Sequence, residues 1–327
     1  MTKGASLGAG ERVLLLGSGK AGHEINVAGV AEALGAPYEL RRVKPRRPFV
    51  WMSPFGPVDP RDWARPPFDG PTPDVVIACG RVTVPYLSAF KRAAGRRVFT
   101  VFLQDPRFAR SSIDLIWVPE HDRHRGPNVI TTLTSPHPYS RRRLAAARLA
   151  PDLRLAVLPA PRCAVVLGGP NGAQHFTAAD LARLSEAMRT IVGQGFSIMA
   201  TPSRRTTPDL LAAVKEGLGG APGFVWDWSG DNPYASMLAL ADAVLVTGDS
   251  ANMVGEATAT GAPVHIFEPT GGRANKLSGA IEALVAKGAA RRFAGAIERF
   301  SYEPIDSSGL IAEEIARRFA AQRAGVA

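Results

Sequence analysis

Cysteine is nearly absent: the chain has two, Cys79 and Cys163, far apart and each inside an apolar, strand-like run. That excludes a disulfide framework and a cysteine-based zinc site, and reads as buried free thiols of a reducing compartment. Histidine is scarce as well, and the spacing of His121, Asp122 and His124 fits no zinc pattern, so no metal is expected. No apolar run approaches the ~20 residues that span a bilayer. Residues 1–12 lack the apolar stretch of a leader and read as a flexible start, so a cytoplasmic location is expected. Zinc-finger spacing, an RNA-recognition signature and a heptad-linked basic region are all missing, and nucleic acid is not an expected partner.

What is present is enough apolar material, 46% of 327 residues, for two cores of roughly 150 residues each. The formal charge is +10, carried overwhelmingly by Arg. It reads either as a bias spread over solvated faces or as a match for an anionic partner, a nucleotide diphosphate or an acidic membrane surface. The stretch from Arg41 to Met52 mixes five basic residues with Phe49 and Trp51. Such a mixture suits an anionic bilayer surface, where each basic residue is worth ~1 kcal/mol, or equally a solvated loop over a domain edge.

Strand and helix signals alternate, which predicts an α/β protein with parallel sheets covered by helices. Strands are expected at 12–16, 38–43, 75–79, 98–103 and 115–118 in the first half. The second half restarts with strands at 164–167, 197–200, 224–226 and 243–247. The Pro-containing segment 148–162 reads as the connection. The expected domains are residues 1–155, residues 156–305, and a helix within 306–327 that returns to the first domain.

Residues 241–269 carry the sharpest functional signal. A buried strand runs into the tight turn Gly248-Asp249-Ser250 and then a short helix, ended by Gly261. The open N-terminus of such a helix presents unpaired amides backed by the helix dipole, which favours a phosphate or pyrophosphate. Asn252 and Glu256 lie four apart on one helix face. A carboxylate one turn behind a diphosphate suits a sugar hydroxyl, so the segment reads as a nucleotide-sugar site.

Ligands of parallel sheets bind beyond the carboxyl ends of the strands. Polar, Gly-rich loops fall there repeatedly: Gly168-Gly169-Pro170-Asn171-Gly172, Ser203-Arg204-Arg205-Thr206 and Gly230-Asp231-Asn232-Pro233-Tyr234. Ser203, Arg204 and Thr206 offer hydroxyl and charged contacts to a diphosphate, and Trp226 and Trp228 read either as flanks of a base or as core. On the first-half edge, His23, Asp105 and Glu120 are candidates for the base that takes an acceptor proton, each also explicable as a cap or a core hydrogen bond. The loop Gly17-Ser18-Gly19-Lys20-Ala21-Gly22, with Glu39 and Arg41-Arg42 downstream, keeps an NAD(P)-binding reading open.

Taken in order, Cys79-Gly80-Arg81, Gln104-Asp105-Pro106, Pro119-Glu120-His121-Asp122, Leu167-Gly168-Gly169, Ser203-Arg204-Arg205-Thr206, Gly230-Asp231-Asn232-Pro233-Tyr234 and Ser250-x-x-Met253-x-x-Glu256 resemble the elongated-mitochondria family of plants and bacteria. That resemblance implies a GT-B-like glycosyltransferase fold, two Rossmann-like domains facing a cleft. It also implies a nucleotide-sugar donor held mainly by the second domain at Gly168, Gly169, Asn171, Gly172, Ser203, Arg204, Thr206, Gly248, Asp249, Ser250, Asn252, Met253 and Glu256. By similarity to the peptidoglycan N-acetylglucosaminyltransferase, Glu256 would bind the donor ribose and the first domain a lipid-linked acceptor, peripheral to the inner face of a membrane. Relatives commonly carry an Asp-Gly-Lys-x-Gly-His-x-x-Gln-like run, where this chain has Ser18-Gly19-Lys20-Ala21-Gly22-His23 followed by Asn26. No separate cofactor is implied. The family is named for plant mitochondrial fission factors, and that role implies an alternative, a non-catalytic interaction protein on the same fold.

Overall fold

Apolar runs of four to six residues, buried along their whole length, pair best in parallel between covering helices. The computed structural model describes residues 7, 10–64, 68–108, 110–273 and 276–325, with most of the expected flexible start outside that set. By its internal contacts the chain forms two units, Met1–Ser140 with Asp306–Ala327, and Arg141–Ile305.

Unit 1 contains β1 (Val13–Gly17), α1 (Ala21–Leu34), β2 (Tyr38–Arg42), a single turn α2 (Phe49–Met52), β3 (Val75–Ala78), α3 (Val84–Ala94), β4 (Phe99–Leu103), β5 (Leu115–Pro119) and β6 (Val129–Thr132). The strands form one parallel sheet in the order β2-β1-β3-β4-β5-β6. Leu15, Ile77, Val101 and Leu115 pack one face against α1; Leu16, Val76, Phe102 and Ile116 pack the other against α3.

Unit 2 contains α4 (Arg141–Leu149), α5 (Leu153–Ala156), β7 (Arg162–Leu167), β8 (Gln174–His175), α6 (Ala178–Gly193), β9 (Ser197–Pro202), α7 (Pro208–Leu218), β10 (Gly223–Val225), α8 (Tyr234–Leu240), β11 (Ala243–Thr247), α9 (Ala251–Thr258), β12 (Val264–Phe267), β13 (Gly271–Gly272), α10 (Lys276–Ala286) and β14 (Arg291–Arg292). Its main sheet is parallel, in the order β10-β9-β7-β11-β12-β14, with β8 and β13 a separate antiparallel ribbon. This is the Rossmann strand order. The last helix, α11 (Ser307–Ala324), closes the unit 1 core, where Ile311, Ile315 and Phe319 join Val27, Val30 and Leu34 of α1.

The sequence reading holds neither β6 nor the helices α3, α4 and α5, and the structure adds them. Strand β6 is a short, half-exposed edge strand, and α4 buries only Leu144. Both cysteines are buried and free, and burial pushes both thiols up to about 12, so neither is a nucleophile at neutral pH. His137 and His265 are buried, and burial pushes both down to about 4, which marks them as neutral structural groups. Among the described residues no helix is long and apolar enough to cross a membrane, and no cluster of His, Cys, Asp or Glu has the geometry to hold a metal ion.

Candidate functional site

In an open parallel sheet the crevice lies where the strand order reverses. In unit 2 that point falls between β7 and β11, so it brings together the loops that follow them. The Gly168 amide donates to Thr247 Oγ1 at 2.7 Å and the Gly169 amide to Asp249 Oδ2 at 2.9 Å. Asn171 Nδ2 donates to the Asp249 carbonyl, while its own Oδ1 accepts from the amides of Ala173 and Gln174. These bonds fix loop 168–174 against the turn at 248–250. The glycines are required by space. A Cβ at Gly169 would lie 1.9 Å from the Arg205 carbonyl oxygen, and one at Gly168 2.2 Å from the Asp249 carboxylate.

Helix α9 starts at Ser250, whose backbone is extended and whose side chain makes no capping bond. Its first-turn amides are therefore left without a capping side chain. Ser250, Ala251 and Asn252 of that turn line an open concavity of about 510 Å³, together with Asn171, Gly172, Ala173, Arg205 and Asp249. Gly248, buried at the end of β11, and half-buried Met253 on α9 flank this wall.

In the loop after β9 the two hydroxyls are bonded within the protein. Ser203 and Thr206 bond each other, and Thr206 Oγ1 also lies within bonding distance of the Leu167 and Gly168 carbonyls. These hydroxyls hold the loop. Arg204 is exposed and absent from the concavity lining. The basic residue facing the site is Arg205, which donates to the Gly169 carbonyl at 2.8 Å and pairs with Asp249 Oδ2 at 2.8 Å. Asp249 is fully buried, and its Oδ1 has no partner among the described residues.

One turn further along α9, Glu256 is buried and accepts a 2.9 Å hydrogen bond from the Tyr234 hydroxyl at the start of α8. Burial pushes its carboxyl up to about 7, against the Tyr234 bond, which lowers it. Arg205 and Tyr234 escape a sequence reading because their partners lie 44 and 22 residues away. The adjacent basic pair and the tyrosine closing the 230–234 loop are the only signals. Trp226 and Trp228 pack on each other at 4.7 Å, with Trp226 buried and donating to the Ser229 carbonyl, which favours the core reading for Trp226.

In unit 1 the order reverses between β1 and β3, and His23 sits there. Its Nδ1 is 2.7 Å from Ser18 Oγ, and its ring fills the space where a Cβ of Gly80 would stand. Burial, then the charge of Lys20, lowers its pKa, so the ring is neutral. Asp105 follows β4 and holds Arg110 in a two-pronged ion pair at 2.6 Å. Burial opposes its ionisation, but Arg110 and the Arg107 amide outweigh burial and hold the carboxyl below the usual range. Glu120 follows β5 in a turn, exposed, with its backbone amide bonded to the Thr132 carbonyl of β6. All three candidates lie at the carboxyl ends of the sheet. The Gly17–Gly22 loop offers a pyrophosphate little, because Glu24 sits over Gly17 and takes Arg42, while Glu39 takes Arg41.

The profile of the mitochondrial fission ELM1 family matches residues 21–319. The chain belongs to that family. The mitochondrial fission protein ELM1 of Arabidopsis thaliana is 29% identical over 287 residues, 79% of this chain and 67% of the plant protein. A Rickettsia prowazekii protein, RP120, is 33% identical over 161 residues, 46% of this chain and 45% of that protein. Among solved structures, a Listeria monocytogenes protein described as a UDP-N-acetylglucosamine 2-epimerase superposes with a TM-score of 0.51 at 12% identity. It covers 94% of this chain and 90% of its own. At that identity the likeness carries the fold alone, GT-B-like, with Rossmann-type units.

Proposed function

We propose that this ELM1-family chain binds a nucleoside-diphosphate sugar in unit 2 and transfers the sugar to an acceptor. The observation that carries the reading is the uncapped start of α9, opening on a 510 Å³ concavity at the switch point, with buried Glu256 one turn behind it. The diphosphate takes the first-turn amides of α9 and the Arg205 guanidinium, which turns from Asp249 toward it. Glu256, oriented by Tyr234, accepts from the ribose hydroxyls. During transfer the bond from the anomeric carbon to the diphosphate oxygen breaks as the acceptor oxygen bonds to that carbon. Negative charge develops on the departing diphosphate, where the helix dipole and Arg205 stabilise it without a metal. Unit 1 takes the acceptor side in this reading. Neutral His23 is the best of its three candidates for receiving the acceptor proton, because Asp105 is committed to Arg110 and Glu120 lies open to solvent. A lipid-linked acceptor and a peripheral place on the inner face of a membrane complete it.

Calorimetry with UDP, GDP, CMP and ADP and their sugars tests the binding. One of them binds, and Glu256→Ala weakens it; binding by none, or binding untouched by Glu256→Ala, contradicts the proposal. The family name favours a second reading, a fold kept for partner recruitment without transfer. It predicts donor binding with neither hydrolysis nor transfer in a radiolabelled-sugar assay.

A further inference from the structure

The insert between β2 and β3 exposes more large apolar surface than any other described segment of unit 1. Trp51 is 63% exposed, Phe55 65% and Trp63 51%, joined by Met52 and, from the loop after β4, Phe108. Singly exposed apolar residues need no explanation, but a cluster does. Phe55 and Phe108 meet edge to face at 5.3 Å, which joins the insert to the loop after β4, and Trp63 separately stacks on Phe68. The scaffold beneath them is fixed. Arg81 donates to the carbonyls of Ser53 and Val50, which pins α2, and Arg46 grips buried Asp59 through two bonds. The core side chains Val43, at its start, and Val58, near its middle, anchor the insert.

Charge decides what this surface fits. The side chains of Lys44, Arg47 and Arg107 are exposed and form no ion pair among the described residues, and Arg47 lies over the Trp51 ring at 5.1 Å. The acids closest to these rings in sequence face inward or are taken, Asp59 by Arg46, Asp62 by the Tyr86 hydroxyl and Asp105 by Arg110, while Glu120 further along the edge is exposed. Outward, the patch therefore presents indole and phenyl rings among cations. Indoles settle at the headgroup level of a bilayer, and cations beside them attract anionic lipid. The insert, the Arg81 turn and the Phe108 loop all leave from the carboxyl ends of unit 1 strands, the same edge that carries His23 and Gly80.

We infer that this aromatic and basic patch of unit 1 docks the protein on an anionic phospholipid surface, with the His23 edge of the sheet toward the lipid. The inference deepens the peripheral location in the reading above and rests on it, whereas donor binding belongs to unit 2 and is measured separately. Full-length protein is floated with vesicles of phosphatidylcholine alone and of phosphatidylcholine with phosphatidylglycerol, at low and high salt. Partition is expected only with the anionic vesicles and falls as salt rises. Trp51→Ala with Phe55→Ala, and separately Lys44→Glu with Arg47→Glu, each lower it about tenfold or more, with nucleotide affinity and melting temperature unchanged. Brominated lipid quenches tryptophan fluorescence of the wild type. The inference is overturned if the wild type neither floats nor is quenched, or if both double variants float as well as wild type. It is also overturned if the variants lose a bound protein while vesicle binding persists, since the patch then serves a protein partner. Loss of nucleotide binding with vesicle binding kept sinks the donor reading alone.

Discussion

Glu256 is a carboxyl group buried beside a single phenol, and its titration is the most direct physical handle on the site. In the unfolded chain it titrates near 4.5 and in the folded protein at about 7. Between these values the native state holds a proton that the unfolded chain has released. The contribution of Glu256 to stability is therefore complete below pH 4.5 and lost as pH rises through 7. Glu256→Gln removes this dependence. Thermal melts across that range should show the variant gaining on wild type as pH rises, by on the order of 3 kcal/mol; parallel curves would place the titration elsewhere. Asp249 poses a related problem, a buried carboxylate met by the Gly169 amide and by Arg205, which is 39% exposed. Arg205→Ala should destabilise unit 2 by about 2 kcal/mol, less than for a fully buried pair. Asp249→Asn in that background should restore part of the loss, read by urea unfolding.

At the scale of elements, the site is three loops locked by backbone groups, and Gly169 is the point where two of them touch. A Cβ there meets a backbone oxygen at 1.9 Å, which no side-chain rotation relieves. Gly169→Ala should displace loop 203–206, lower the melting temperature and weaken nucleotide binding about tenfold or more; unchanged calorimetry would show that the loop contact is dispensable. The strand–turn–helix from β11 to α9 is legible in sequence because its signals are local: an apolar run, Gly-Asp-Ser, then Gly261 and Pro263. Strand β6 is not, since Val129–Thr132 is short, half-exposed and defined by its pairing with β5. Helix α4 hides for a similar reason, as its Arg- and Ala-rich face carries one buried leucine instead of an apolar stripe. The side chains that complete the site, Arg205 and Tyr234, are set by long-range contacts that periodicity does not encode.

At the scale of the whole molecule, the chain is two parallel-sheet units whose order reversals each gather a different chemistry. Unit 2 gathers uncapped amides, a guanidinium and a buried carboxyl, a set suited to a diphosphate with a sugar hydroxyl beside it. Unit 1 gathers a neutral imidazole and, on the same edge, the aromatic and basic insert. Part of the arginine content is consumed in ion pairs such as Arg41–Asp69, Arg189–Glu216 and Arg292–Glu268, and the net charge of +10 is the excess of cations over acids. The position of the donor in unit 2 is tested by crystals soaked in a mixture of nucleotide sugars. Diphosphate density is expected at the first turn of α9, between residues 171–173 and 249–252, with ribose oxygens at Glu256. Density at the Gly17–Gly22 loop, or none at α9 from any nucleotide sugar, would contradict it.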